Sequence, residues 1–272
     1  MRLALGVLGI LGTCVFATAC TVTTNEPTTP PEDEPMPLPA PATPPASEDH
    51  KPLANPETKP AVGDDTFAEV VYVLMRDRNF HLWFCTGTLV AKDKVVTAAH
   101  CLDSKQFRSY EIVAPLAPGK PRVNASMPKS FGGDYDVVAN PDIGFLTLDT
   151  PIDLPLYAQP TDVVARVEAG EHLSGVAVVR TKEEPEAPLA MSEELALSST
   201  VELGYEHGFG TPYFSNGGDS GAGLFFVENG KPTHKLIAVA RQPEPDRDLD
   251  HFTRIDADFL AWYAANNPAN PH

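Results

Sequence analysis

The sequence predicts an all-β domain that ends in a single α-helix. Short apolar or alternating runs rich in β-branched residues recur from residue 69 onwards, and clusters of Gly, Pro, Asp and Asn separate them. Heptads and a regular helix–strand alternation are both missing from the pattern. Many short strands with one terminal helix indicate a β-sandwich or a β-barrel.

Each predicted element has its own signal. In chain order the strands are expected at 69–74, 85–90, 94–99, 143–148, 175–180, 222–227 and 235–241. The helix follows Asp256, a suitable N-cap, and its apolar face carries Phe259, Trp262 and Tyr263. Pro268 is expected to end it.

The first 64 residues are expected to lie outside this domain. Residues 1–20 combine Arg2, an apolar run too short for a comfortable membrane span, and small residues before Cys20, which is the layout of a secretory signal. The ending "ATAC" resembles the lipobox of bacterial lipoproteins and so predicts a lipid anchor on Cys20. The alternative is an ordinary signal cut near Ala19, which would leave a secreted, soluble protein.

Residues 21–64 are predicted to be a disordered spacer. Twelve of these 44 residues are Pro, aromatic residues are lacking, and eight acidic residues stand against two basic ones. Such a segment cannot bury enough apolar surface to fold, and its prolines favour extended backbone. At ~3 Å per residue it would reach on the order of 100 Å. The folded domain is therefore expected at 65–272.

The charge of the chain excludes some classes of partner. The formal net charge is −17, and removing +1 for residues 1–20 and −6 for residues 21–64 leaves −12 on the domain. A strongly acidic domain is a poor partner for nucleic acid or an anionic membrane surface. The eight histidines lack the spacing of a metal site, so neither a metal nor another cofactor is expected.

Cysteine usage agrees with export. Of the four cysteines, Cys14 lies in the signal and Cys20 is the expected anchor, which leaves Cys85 and Cys101 in the domain. An exported domain can join them in a disulfide, and two unpaired buried thiols are the alternative.

Three separated motifs suggest chemistry. "TAAHC" places His100 at the end of a predicted strand, "DIGFLTL" places Asp142 just before one, and "GGDSGAG" places Ser220 among glycines. Taken singly, a structural His, a turn Asp and a Gly-rich hairpin turn are the simpler interpretations. Their order, with Asp 42 residues after His and Ser 78 residues after Asp, favours one joint site.

These motifs resemble the active-site motifs of the trypsin/chymotrypsin-like serine proteases, in the same order. The terminal "FTRIDADFLAWYAANN" is similar to the last strand and helix of that family, so the resemblance extends over about residues 61–270. It implies two six-stranded β-barrels with the active site between them. It also implies Ser220 as nucleophile, His100 as general base, Asp142 as orienting acid, and a bridge between Cys85 and Cys101.

The resemblance explains the glycines around Ser220 as well. Gly218 and Ser220 match the positions whose backbone N–H groups bind the oxyanion, and a side chain at Gly218 would disturb the turn that directs its N–H. A protein or peptide is the implied substrate, hydrolysed through an acyl-enzyme.

The expected substrate pocket departs from the family pattern. Asn216 stands where one half of a second disulfide is usual, and Ala240, Arg241 and Gln242 replace the usual Ser-Trp-Gly of the strand that binds substrate. The residue expected at the base of the pocket is Phe214. Asp250 is a second candidate for the floor, where it could attract Lys or Arg, and a solvated turn residue is the alternative.

Activation departs from the pattern too. Members of the family commonly free a small apolar N-terminus that pairs with the acid before the nucleophile, here Asp219. Ala61-Val62-Gly63 resembles such a terminus, but Pro60 makes a trypsin-like cut after Lys59 unfavourable. Asp219 is therefore expected to pair with another group, or a different protease is expected to make the activating cut.

We expect a serine endopeptidase tethered to the bacterial envelope. The main alternative is a non-catalytic binding lipoprotein that keeps the fold. An esterase of the G-x-S-x-G type is disfavoured, because Ala222 rather than Gly stands two residues after Ser220.

Overall fold

The computed structural model describes residues 67–267, which form a six-stranded barrel and a second, larger sheet. The barrel contains β1 (Val70–Asp77), β2 (Leu82–Ala91), β3 (Lys94–Thr97), β4 (Phe107–Val113), β5 (Arg122–Phe131) and β6 (Ile143–Leu148). Its strands are antiparallel and close in the order β1-β2-β3-β6-β5-β4. A 3₁₀ turn, Ala99–Leu102, follows β3.

The second sheet has nine strands. They are β7 (Gln159–Pro160), β8 (Ser174–Arg180), β9 (Leu189–Met191), β10 (Leu195–Ala196), β11 (Ser198–Ser199), β12 (Gly208–Pro212), β13 (Gly223–Glu228), β14 (Lys231–Glu244) and β15 (Leu249–Arg254). The main path runs β10-β8-β13-β14-β15-β12-β11, while β7 pairs with β14 and β9 pairs with β8. A short helix α1 (Val164–Glu168) lies between β7 and β8, and α2 (Ala257–Asn266) follows β15.

Strand β1 shows why several predicted strands read as continuous apolar runs. Side chains alternate across a strand. Val71 and Val73 fill the interior of the first barrel, whereas Tyr72 and Leu74 belong to a core shared with Val178 and other residues of the second sheet. Both faces of β1 are therefore buried, and its apolar residues need not alternate with polar ones.

The C-terminal helix joins the two halves. The Asp256 carboxylate accepts a hydrogen bond from the Phe259 N–H at 2.9 Å, so the expected N-cap is formed. Phe259 and Trp262 then pack on Phe131, and Trp262 also packs on Phe145 of the first barrel. The last residue of α2 is Asn266, and Pro268 lies outside the described residues.

The fold prediction is confirmed: the protein is almost all β, with a closed six-stranded barrel, a second sheet and a C-terminal helix. The second sheet exceeds six strands because short pairings such as Ser198–Ser199 with β12 are added at its margins. Among residues 67–267 no helix has the length and apolarity needed to cross a bilayer.

Candidate active site

Ser220 lies in the turn between β12 and β13, half-buried and fixed to the first barrel. Its carbonyl accepts a hydrogen bond from the Thr86 N–H at 2.8 Å. Gly221 has a positive φ of 80°, and a Cβ there would lie 2.3 Å from the Thr86 carbonyl oxygen. Only glycine combines that backbone conformation with so close an approach, so Gly221 lets the serine turn lie directly on β2.

Two backbone donors beside Ser220 are available for a ligand. Within residues 67–267, no acceptor bonds to the N–H of Gly218 or of Ser220 itself. Gly218 has a φ of 91°, and a Cβ at this position would lie 2.4 Å from the Phe84 ring. A side chain at Gly218 would therefore displace either Phe84 or the turn. The pair of free donors is the arrangement expected of an oxyanion site.

His100 and Asp142 are held together by two hydrogen bonds. His100 lies in the 3₁₀ turn after β3, and Asp142 is buried immediately before β6. The His100 N–H donates to Asp142 Oδ1 at 2.8 Å, and His100 Nδ1 lies 2.6 Å from Asp142 Oδ2. The Asp142 N–H donates in turn to Thr253 Oγ1 at 3.2 Å, which ties the pair to the second sheet.

This contact determines the chemistry of the imidazole. An ionised carboxylate only accepts hydrogen bonds, so Nδ1 of His100 must carry the proton that is shared with Asp142. In the neutral ring, Nε2 then keeps its lone pair and can act as a base. His100 and Ser220 line the same two cavities, so the imidazole and the hydroxyl face a common space.

The hydroxyl of Ser220 and the ring of His100 are not hydrogen-bonded within 3.5 Å in the described region. Hydrogen bonds of this kind are often long in free enzymes and shorten when substrate binds. Tyr135 packs edge-on against His100 at 6.3 Å between ring centroids, and its hydroxyl donates to Asp103 Oδ2 at 2.9 Å. The imidazole is thus positioned on one side by Asp142 and on another by Tyr135.

Asp219, the acid before Ser220, is fully buried and accepts two backbone hydrogen bonds. Its donors are the N–H of Arg180 and the N–H of Asn216, both at 2.9 Å. Burial raises the pKa of Asp219 to about 6, against the opposing effects of these donors and the nearby Arg180 cation. The carboxylate therefore remains ionised at neutral pH inside the protein.

Arg180 is a buried residue beside Ser220 that the sequence did not predict. Its side chain is 1 % exposed at the end of β8. The guanidinium donates to the carbonyl of Gly218 and to Thr86 Oγ1, and at 2.7 Å to the carbonyl of Cys85. Burial lowers its pKa to about 10, which leaves it protonated at neutral pH.

Arg241 makes a second buried contact across the cleft. Residue 241 is 7 % exposed in β14. Its guanidinium donates to four backbone carbonyls of the segment 135–140 that leads to Asp142: those of Tyr135 (2.9 Å), Val137 (3.3 Å), Val138 (3.0 Å) and Asn140 (2.9 Å). The sequence placed Arg241 on the wall of a pocket, and it does line a cavity of about 370 Å³ with Ser220 and Gln242. It is also a tie between the two halves of the protein.

The other predicted pocket residues lie differently. Phe214 is buried against Phe252, and Ala240 is a buried residue of β14 whose carbonyl accepts from the Gly221 N–H at 2.8 Å. Asp250 is buried in β15 and accepts from the N–H groups of Phe214 and Ser215, at 2.8 and 2.9 Å, and from Ser215 Oγ at 2.7 Å. Asp250 is therefore not a solvated turn residue. Neither Phe214 nor Asp250 lines the two cavities that contain Ser220.

Cys85 and Cys101 form the expected disulfide, which links β2 to the turn that carries His100. In the described region their sulfur atoms lie close to His100 in a grouping that resembles a metal site. Both sulfurs are bonded to each other, so they are not available as thiolate ligands. Cys20, the spacer and the junction at 59–65 lie outside the described residues.

Comparison with known proteins defines the class. The Trypsin family model matches residues 70–240, and the chain therefore belongs to the trypsin family of serine proteases. A vitellin-degrading protease of Bombyx mori is 38% identical over 90 residues, which are 32% of this chain and 31% of the relative. The match thus spans about a third of that curated protein's length.

Solved structures with the same fold include three with low sequence identity. HL collagenase matches with a TM-score of 0.60 and 14% identity, over 77% of this chain and 97% of its own. GrC matches with a TM-score of 0.60 and 16% identity, over 77% and 98%. Protease Anisep from Arthrobacter nicotinovorans matches with a TM-score of 0.57 and 13% identity, over 76% of this chain and 97% of its own. At these identities the likeness concerns the fold.

Proposed function

We propose that the protein is a serine endopeptidase in which Ser220 is the nucleophile, His100 the general base and Asp142 the acid that orients it. The observation that carries this proposal is the His100–Asp142 pair, which two hydrogen bonds hold together and which lines the same cavity as Ser220. Family membership and the protease relatives support a protein or peptide substrate.

In the proposed reaction, Ser220 Oγ attacks the carbonyl carbon of the scissile peptide bond while its proton moves to His100 Nε2. The carbonyl oxygen becomes an oxyanion and accepts hydrogen bonds from the N–H groups of Gly218 and Ser220. The C–N bond then breaks, and the leaving nitrogen takes the proton from His100. Water repeats the sequence on the acyl-enzyme, which releases the acid product and restores Ser220.

Asp142 contributes through the charged form of His100. While the imidazole holds the extra proton it is a cation, and the buried carboxylate 2.6 Å from Nδ1 stabilises it. The same contact prevents the ring from presenting the wrong nitrogen. Asp142→Asn is expected to lower kcat by ~10⁴-fold, because an amide favours the other tautomer.

The test is covalent labelling of the isolated protein with a fluorophosphonate, read by intact mass. The wild type should gain one adduct, Ser220→Ala none, and Ser109→Ala, which removes an exposed hydroxyl on β4, should react like the wild type. Peptide hydrolysis should fall by ~10⁴-fold or more in Ser220→Ala. A folded wild type without any adduct would refute the proposal and would favour the non-catalytic binding lipoprotein.

We further propose that the protein is exported and anchored by a lipid on Cys20, with residues 21–64 as the spacer. The signal-like pattern of residues 1–20 supports this placement. Metabolic labelling with an alkyne fatty acid should mark the wild type but not Cys20→Ser, and the variant should leave the membrane fraction. An unlabelled wild type found in the medium would indicate the secreted, soluble form instead.

A further inference from the structure

The lysines and arginines of residues 67–267 are unevenly partnered. Most of their side chains bind a carboxylate or a carbonyl oxygen, as those of Arg122 and Arg241 do. Four that bind neither lie close together at one end of the first barrel: Arg76 and Arg78 in the β1–β2 hairpin, Lys105 in the loop before β4, and Arg108 in β4 itself. The hairpin, residues 76–83, contains one acid, Asp77. It is therefore locally basic, in a domain whose net charge is −12.

The same hairpin carries exposed apolar side chains. Phe80 is 62 % exposed, Trp83 47 % and Leu82 41 %, and no other Phe or Trp among residues 67–267 is as exposed as these two aromatic residues. The Arg108 guanidinium lies 4.1 Å from the centre of the Phe80 ring. The hairpin thus combines a projecting apolar patch with a group of cations that have no carboxylate partner.

Hydrogen bonds to Asp77 hold the hairpin in this shape. Its Oδ1 accepts from the N–H groups of Asn79 and His81, at 2.8 and 2.9 Å, and its Oδ2 accepts from Trp83 Nε1–H at 3.4 Å. The Asp77 carbonyl accepts from the Phe80 N–H at 3.1 Å, and Phe80 has a positive φ of 67°. The exposed side chains are therefore positioned in advance, and a partner that binds them has little to order.

The chemistry of the hairpin favours a membrane surface as its partner. Aromatic side chains are enriched at the interface between the hydrocarbon and the headgroups of a bilayer, and Lys and Arg beside them attract anionic lipids. A projecting apolar tip fits a soft planar surface better than it fits a groove on another protein. A lipid on Cys20 would also keep the hairpin near the bilayer at a high effective concentration, so that a weak contact is enough.

The net charge of the domain opposes this contact only in part. Charges separated by more than about 8–10 Å are largely screened at physiological salt, so a surface that touches the hairpin meets mainly the local cations. Each Lys or Arg close to an anionic surface strengthens binding by about 5-fold.

We propose that the hairpin 76–83, together with Lys105 and Arg108, docks on the anionic headgroups of the membrane that carries the anchor, with Phe80, Leu82 and Trp83 in the interfacial layer. The inference rests on the proposed anchoring by Cys20. Trp83 also lines a cavity of about 470 Å³ with Ser220. Docking would therefore bring the proposed active site close to the membrane surface and favour substrates that are held there.

The test uses the full-length protein as isolated from cells, combined with vesicles whose lipid chains carry bromine, which quenches tryptophan fluorescence at short range. Vesicles of phosphatidylglycerol and phosphatidylcholine in equal parts should quench Trp83, and vesicles of phosphatidylcholine alone should quench it far less. Trp262, the other tryptophan, packs on Phe131 and Phe145, so Trp83→Phe should remove the quenching. In about 1 M NaCl, where the Debye length is about 3 Å, the quenching of the wild type should weaken.

A matched pair of variants separates local from overall charge. Arg76→Glu/Arg78→Glu should lose most of the quenching. Lys120→Glu/Lys231→Glu makes the same change in net charge at two exposed lysines in other turns, which also have no carboxylate partner in the described region, and should be quenched like the wild type. Equal loss in the two double variants would overturn the assignment to the hairpin.

Flotation of the same mixtures distinguishes the hairpin from the anchor. Protein that floats with the vesicles while Trp83 stays unquenched overturns the docking and leaves the anchor standing. Protein without a lipid that floats only with anionic vesicles, with Trp83 quenched, supports the hairpin and refutes the anchor. If nothing floats and nothing is quenched, both fall. If poly-glutamate shifts the Trp83 emission and vesicles do not quench it, the partner is an acidic polypeptide and the membrane proposal is wrong.

Discussion

Replacing Arg180 by methionine is expected to impair catalysis and stability together, although Arg180 is not placed to touch the substrate. Methionine has a similar length but no donors. The change leaves the carbonyls of Gly218 and Cys85 without their cationic partner in a buried site. It also removes the positive charge near the buried Asp219.

The size of the stability loss follows from the burial. Removing one partner from a buried, hydrogen-bonded charge costs about 3–5 kcal/mol in the free energy of unfolding. For a domain of this size that corresponds to a Tm lower by roughly 6–20 °C. The matched control is Arg122→Met, because Arg122 is 43 % exposed and forms only surface ion pairs with Glu111 and Glu186. Such pairs contribute about 0–1 kcal/mol.

The size of the catalytic loss follows from the contact with Gly218. The guanidinium binds the carbonyl of the 218–219 peptide, whereas the Gly218 N–H belongs to the preceding 217–218 peptide. If fixing the first peptide also fixes the backbone of Gly218 and so directs its N–H at the oxyanion, removal of Arg180 should cost at most the loss of one oxyanion donor, ~10²–10³-fold in kcat with little change in KM. Arg180→Lys keeps the charge but cannot reach both carbonyls, so it should lie between the wild type and Arg180→Met.

The assay combines steady-state kinetics on a peptide substrate with thermal unfolding of the same preparations, measured well below the variant's Tm. A lower Tm with kcat within about 3-fold of wild type would refute the positioning role and leave Arg180 a structural residue. A Tm equal to that of Arg122→Met would refute the energetic argument itself.

Three further predictions concern other features of the site. The pKa of Asp219 is raised from 3.8 to about 6, so the folded state binds the proton more tightly than the unfolded state does. The contribution of Asp219 to the free energy of unfolding should therefore fall as pH rises from about 4 to 6. Denaturant titrations across this pH range should show a flatter slope for Asp219→Asn than for the wild type. Replacing Cys85 and Cys101 by serine opens a link of sequence separation 16 and should lower the free energy of unfolding by ~3 kcal/mol, measured by thermal melts. Arg241→Ala should lower the free energy of unfolding by about 2–4 kcal/mol and increase proteolysis within 134–140. Equal cleavage of the wild type and the variant would contradict the role of Arg241 in holding this segment.

The sequence was sufficient to locate a strand where the strand is itself a run of buried apolar residues. The run predicted at 143–148 coincides with β6, Ile143–Leu148, and the predicted N-cap Asp256 is formed. Strand β5, Arg122–Phe131, was not predicted, because most of its residues are at least partly exposed and leave no apolar run. Two-residue strands such as β10 and β11 are defined by their pairing partners and have no pattern of their own.

The candidate site likewise has one part that the sequence predicted and another that it did not. The motifs around His100, Asp142 and Ser220 are short, and their order together with the family resemblance predicted one joint site. Asp250 could be placed near the pocket, but its three donors could not be foreseen, since they come from Phe214 and Ser215 some 35 residues away. Its carboxylate ties segment 214–215 to β15, next to Asn216, where the resemblance described above would place half of a second disulfide.

Arg180 and Arg241 show why the remainder was not predictable, and what it contributes. A charged residue at the end of an apolar strand ordinarily faces water, and nothing near Arg180 in the sequence marks Cys85, 95 positions away, as its partner. Both arginines bind backbone carbonyls rather than carboxylates, and both cross between the second sheet and elements of the first half. Arg180 secures the turn of Ser220 against β2, and Arg241 secures the segment that leads to Asp142. We therefore expect a change at either buried arginine to alter the cleft between Ser220 and His100 without touching a residue of the proposed triad.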